Sequence, residues 1–190
     1  GDAFLINEDR GVLAVADSVS SLPNGGLTAR RCLTWLNLEL ATAKPSDAAT
    51  IRSAVEAVNR QVFAASIRKS ADSLGGCILV GLALWPKGDG LTYFHIGAGA
   101  LLHRREATAA FETVPHPHLS RRRSASDPTR EVSRLPAAVG VRPKIPPDPG
   151  ECEFGGGGAF VDALVPRRQR GRTHWRRSDG AIVQWHAERA

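Results

Sequence analysis

The sequence predicts a layered α+β domain. Two stretches place apolar residues at helical spacing, and around them lies a run of short apolar segments divided by turn residues, the pattern of antiparallel strands. Size agrees: 190 residues, 42% hydrophobic and 23% charged, suit one soluble domain with a core of its own.

Taken in order, "AFLI" (3–6) and "VLAVA" (12–16) read as short strands joined by the polar "NEDRG", a hairpin signal. Ala29, Leu33, Leu36 and Leu40 recur at helical spacing from Leu27 to about Leu40. A second helix is predicted from about Ser46 to Lys69, with Ile51, Val55, Val58 and Val62 on one face and Ser46 or Asp47 as N-cap. The period then switches to strands over "CILVGLAL" (77–84), "LTYFHIG" (91–97), "ALLHRR" (100–105) and "AAFETV" (109–114). Residues 115–134 read as a polar loop or broken helix, and "KIPPDPGE" as a Pro-rich turn. The four glycines of "FGGGGAF" are unsuited to a strand interior. "PRRQRGRTHWRR" has no period, and a last strand is expected over 181–187.

The net charge of +6 is concentrated at one end. After Pro166 stand seven arginines against Asp179 and Glu188, which leaves about +1 for everything before them. A near-neutral body with a short basic tail reads as a solvated segment rather than a nucleic-acid surface. No run of about 18 apolar residues is present, so no membrane span is expected, and no signal peptide is seen. Cys32, Cys77 and Cys152 are odd in number and widely spaced, which fits a reducing cytoplasm better than a disulfide framework or zinc site. The chain begins at Gly1 and has no Met, and reads as a fragment or processed product.

"AVADSVSSLPNGG" (14–26) carries the chemical clue: a hydrophobic strand that ends on a carboxylate, Asp17. Aspartate starts turns well, because its side chain bonds the backbone two residues on. Acids at strand tips also hold hard cations. With the hairpin turn centred on Asp9 and Arg10, facing residues sum to 19 and Asp2 lies opposite Asp17. Like charges across a hairpin are destabilising unless something positive lies between them. Asp2 also has a plain reading, as a solvated terminal residue.

"GDAFLINEDRGVLAVADSVSSLPNGGLTAR" resembles the opening of the type-2C (PPM) metal-dependent serine/threonine phosphatases of bacterial type. "GGCILVGLALWPKGDGLTYFHIGAGALLHRR" is similar to that family's "GTT" strand and "HVGDSRAYLLR" hairpin, and "RLPAAVGV" to its "LTRALG" segment. The resemblance implies a four-layer α-β-β-α sandwich, two antiparallel sheets flanked by helices, over residues 1–165, truncated at its N-terminus, with 166–190 a divergent basic tail. It implies two Mn²⁺ or Mg²⁺ ions at one end of the sandwich, where a metal-bridging water attacks a phosphoserine or phosphothreonine. Asp17 matches the bridging aspartate, Ser18 would offer its backbone carbonyl, Asp2 matches the acid at the strand start and Asp179 the acid before the last strand. The implied substrate is a phosphorylated protein, with a serine/threonine kinase as opposing partner.

The likeness has departures. The family's phosphate-binding Arg falls upstream of Gly1, Ala98 replaces the Asp of "HVGDS", and Gly158 falls on a metal-binding Asp. Loss of that carboxylate supports an alternative, an inactive pseudophosphatase that binds phosphoproteins or regulates. A basic-tailed nucleic-acid binder is the weakest reading. Other chemistry lacks partners: His95 reads as a core histidine, and His116 and His118 lack acid or Cys partners for a metal. Ser73 and Cys77 lack a base, and the four glycines lack the Lys-Ser/Thr of a P-loop.

Overall fold

In a computed structural model of the chain, the residues described are 2–19, 25–42, 47–67, 75–87, 90–97, 99–105, 108–112, 122–123, 131–132, 138–141, 148–153, 159–164 and 182–187. The chain opens with a hairpin, β1 (Ala3–Asn7) and β2 (Val12–Ser18), joined by a 3₁₀ turn over Glu8–Arg10. The Asn7 side chain accepts a hydrogen bond from Arg10 N–H at 3.1 Å, and Gly11 closes the turn at φ 62°. That left-handed conformation favours glycine. The register pairs Ala3 with Ala16 and Asn7 with Val12, the sum of 19 expected from the turn.

Two helices follow, α1 (Gly25–Ala41) and α2 (Ala48–Ile67). Asp47 caps α2: its carboxylate accepts from Thr50 N–H at 2.8 Å and from the Thr50 hydroxyl at 2.9 Å. The Thr50 N–H bond holds the Asp47 carboxyl below the usual range. Then come β3 (Cys77–Leu84), β4 (Gly90–Ile96), β5 (Ala100–Arg105) and β6 (Thr108–Glu112). Two short strands, β7 (Arg122–Arg123) and β8 (Glu131–Val132), pair with each other, and β9 (Asp148–Glu153), β10 (Ala159–Leu164) and β11 (Ile182–Ala187) complete the set.

The larger sheet has the order β1-β2-β3-β4-β9 and the second β11-β10-β5-β6, with every pairing antiparallel. The Pro-rich stretch read as a turn is therefore partly a strand. Pro149 lies in β9 at the edge of its sheet, where a missing N–H is tolerated. β10 starts just past the four glycines.

Alternation along the strands separates two faces of the larger sheet. Val12, Ala14, Ala16, Cys77, Leu79, Ala83, Phe94 and Ile96 join Ala29, Leu33, Leu36, Ile51, Val55 and Val58 of the helices in one core cluster. The opposite face carries Leu13, Val15, Ile78, Val80 and Leu82, all buried, and turns toward the second sheet, where Leu101 of β5 is fully buried. Helices, larger sheet and second sheet thus make three layers. Both helices described pack on the larger sheet, and a helical layer outside the second sheet is not among the described residues.

Buried polar groups tie the layers. Asn59 of α2, 1% exposed, accepts from Gly140 N–H at 2.8 Å, holding the 138–141 segment whose Val139 bridges to Cys77. Asn59→Leu leaves that N–H without its acceptor and is expected to cost about 1–3 kcal/mol in urea denaturation.

Candidate metal centre

The acid pair follows from the register. Beyond Ala3–Ala16 the next facing positions on the hairpin are Asp2 and Asp17, and the two carboxyl groups share a hydrogen bond. A hydrogen bond between two carboxyls needs a proton on one of them. Asp17 faces Ile78 across β3, on the same side of the sheet as Val15 and Val80. The pair therefore lies at the end of the sheet where β1 and β3 begin and β2 stops, on the face turned toward the second sheet.

Three influences meet on Asp17. Partial burial is the largest, then the hydrogen bond that the protonated Asp17 carboxyl donates to Asp2 and the Asp2 charge, and together they push its carboxyl from 3.8 up to about 7. The Ser18 N–H donates to the Asp17 carboxylate and opposes this rise. A carboxylate pair that retains a proton near neutrality is a place where a cation can replace that proton.

The weakened acidity of Asp17 makes the stability of the fold depend on pH. The folded chain holds the shared proton more tightly than the unfolded chain, in which Asp17 titrates near 3.8. Its stabilisation is complete below about 3.8 and is lost as pH rises through about 7. A rise from 3.8 to about 7 equals about 4 kcal/mol, and a half-buried, screened group contributes roughly half of that or less. The metal-free chain is expected to lose about 5 °C in Tm between pH 5 and pH 8. Asp2→Asn, which removes the neighbouring charge, should flatten that slope in differential scanning calorimetry.

The sequence-derived residues are only partly brought together. Asp2 and Asp17 are in contact and Ser18 adjoins them, contributing an N–H to Asp17. Asp179, Ala98, Gly158, His116, His118 and Ser73 lie outside the described residues. Among the described residues no group of three or more His, Cys, Asp or Glu is placed to hold a metal. Asp2 and Asp17 fit a hard cation as part of a ligand set. His95 is 1% exposed in β4, as expected of a core histidine.

One feature escaped the sequence. Cys32 of α1 and Cys77 of β3 are both fully buried and hydrogen-bonded to each other. That bond, then burial and the nearby charges, push the Cys77 thiol well above its ordinary value, so it is a poor nucleophile. Their separation of 45 residues carries no signal, and only the packing of α1 on β3 joins them.

No protein-family model and no curated protein matches the sequence at a significant level. Solved structures do match in fold. The PPM Ser-Thr phosphatase MsPP from Mycobacterium smegmatis, determined with cacodylate, aligns with a TM-score of 0.62 at 22% identity, over 86% of this chain and 70% of that one. The catalytic domain of the serine/threonine protein phosphatase PstP, determined with 2 manganese ions, gives 0.62 at 18% identity, over 86% and 69%. PppA, a regulatory component of the type VI secretion system in Pseudomonas aeruginosa, gives 0.63 at 19% identity with the same coverage. Across these three alignments, most of this chain superimposes on about 70% of each partner, and it has the fold of the bacterial PPM serine/threonine phosphatases.

Proposed function

We propose that this domain is a metal-dependent phosphatase acting on phosphoserine or phosphothreonine in proteins, in the cytoplasm and opposite a serine/threonine kinase. The observation that carries the reading is the proton-sharing Asp2–Asp17 pair at the end of a PPM-type fold. The residues that would hold Mn²⁺ or Mg²⁺ are Asp2, Asp17, the Ser18 carbonyl and Asp179, two ions being expected from the fold family. A bound divalent cation supplies an acidic water and neutralises phosphate oxygens. The chain's part is to bring two carboxylates together, with the Ser18 N–H restraining Asp17. Asp17 must surrender the shared proton when the cation enters, so occupancy rises with pH through about 7.

A second reading is a pseudophosphatase that binds phosphoproteins without turning them over. Gly158, at the position of a metal-binding aspartate in the family pattern, favours it. Hydrolysis of p-nitrophenyl phosphate with and without Mn²⁺ separates the two. Turnover that requires Mn²⁺ is the expected result. A folded chain without turnover would sustain the pseudophosphatase instead, and Gly158→Asp should then raise its activity, a neutral outcome meaning that Gly158 does not stand at the position of the metal-binding aspartate.

A further inference from the structure

We propose that Cys32 and Cys77 are a redox-active dithiol, which hydrogen peroxide converts to a disulfide tying α1 to the start of β3 and which thiols reopen. Both side chains are fully buried in the core between the helices and the larger sheet. Their thiols share a hydrogen bond, although 45 residues separate them in sequence. Sulfurs that already touch have only to close to the S–S bond distance of about 2.05 Å. Small side-chain rotations on α1 and β3, which pack on each other, supply that movement. Among the described residues no third His, Cys, Asp or Glu joins the two thiols to build a metal site.

The hydrogen bond divides the roles. Cys77 keeps its proton and donates to the Cys32 sulfur, so Cys32 is the sulfur that attacks. It takes one oxygen of the peroxide, the O–O bond breaks, and the other oxygen leaves as water with the Cys32 proton. The Cys77 sulfur then attacks the resulting sulfenic acid, the S–O bond breaks, and a second water leaves with the Cys77 proton. Two thiols lose two electrons in all, and one peroxide becomes two waters. The second step is intramolecular, so the bridge forms ahead of further oxidation at Cys32.

The place of the pair in the fold gives the bridge its effect. Cys77 exchanges both backbone hydrogen bonds with Val139, at 3.2 and 2.9 Å, and faces Ser18 across β2. Val19 N–H donates to the neighbouring Gly76 carbonyl at 2.9 Å. The start of β3 thus anchors both β2, at the end that carries Asp17, and the 138–141 segment. A bridge there holds α1 against this end of the sheet. In a reducing compartment a disulfide is transient, and its formation reports an oxidant.

The test treats the full, folded chain with hydrogen peroxide, blocks the remaining thiols, and maps the cysteines by mass spectrometry after trypsin digestion. The expected product joins the peptide carrying Cys32 to the peptide carrying Cys77, two hydrogens lighter than the pair. The oxidised chain should melt at least about 5 °C above the reduced one, because the bridge closes a long loop. Dithiothreitol should return both mass and Tm to their starting values. Cys32→Ala should abolish the rise and Cys152→Ser should keep it. The map of the parent chain decides even where a variant fails to fold. Free thiols at both positions after treatment, a bridge that involves Cys152, sulfinic acid at Cys32 without a bridge, or a bridged chain with an unchanged or lower Tm would each overturn the proposal. None of these readouts depends on phosphatase activity.

Discussion

Asp17→Asn is expected to lower Mn²⁺-dependent hydrolysis of p-nitrophenyl phosphate by at least about 100-fold. Asparagine keeps the size of the side chain and an acceptor for the Ser18 N–H, but it removes the charge that attracts a cation. The metal-free fold should not suffer, because the like-charge contact with Asp2 disappears along with the cost of burying a carboxylate. Two measurements in one titration test this. Mn²⁺ should raise the Tm of the parent chain, more at pH 8 than at pH 5.5, since proton and cation compete for the same oxygens. In the variant that rise should vanish. A variant active within a few-fold of the parent would place the reacting centre elsewhere.

Phe94→Ala is expected to cost about 3–5 kcal/mol, a large share of the stability of a domain this size. Phe94 is 1% exposed and belongs to the cluster that joins the larger sheet to both helices. It stands opposite Gly81 on β3, and its ring fills the space that a side chain there would need. A Cβ at position 81 would lie 2.2 Å from Phe94 Cζ and 2.9 Å from the Leu13 carbonyl oxygen. Gly81→Ala should therefore also be destabilising, through crowding rather than through a cavity. The two changes meet in one space, so Gly81→Ala/Phe94→Leu should lose less than the sum of its single variants. Urea midpoints of the four chains decide it. Strict additivity would mean that the ring does not occupy that space.

Much of the fold was legible because local rules decide it. The residues from "AFLI" to "ALLHRR" alternate or repeat with clean periods, and the strands at 77–84 and 100–105 begin and end where the sequence places them. The hairpin register was legible too, since a short turn leaves few ways to pair its arms. The stretch at 148–153 was not. Proline argues against a central strand, and nothing local tells that this strand lies at an edge.

The candidate centre divides the same way. That Asp2 and Asp17 oppose each other is a consequence of a hairpin within eighteen residues, so the sequence alone determined it, along with two helices between antiparallel strands. Which face the acids share, that burial raises Asp17 to about 7, and that Cys32 meets Cys77 were decided by the packing of α1 on β3 and of one sheet on the other. Periodicity says which residues turn inward along one strand. Desolvation and contact between distant segments depend on what stacks against that strand, and only the assembled layers supply it.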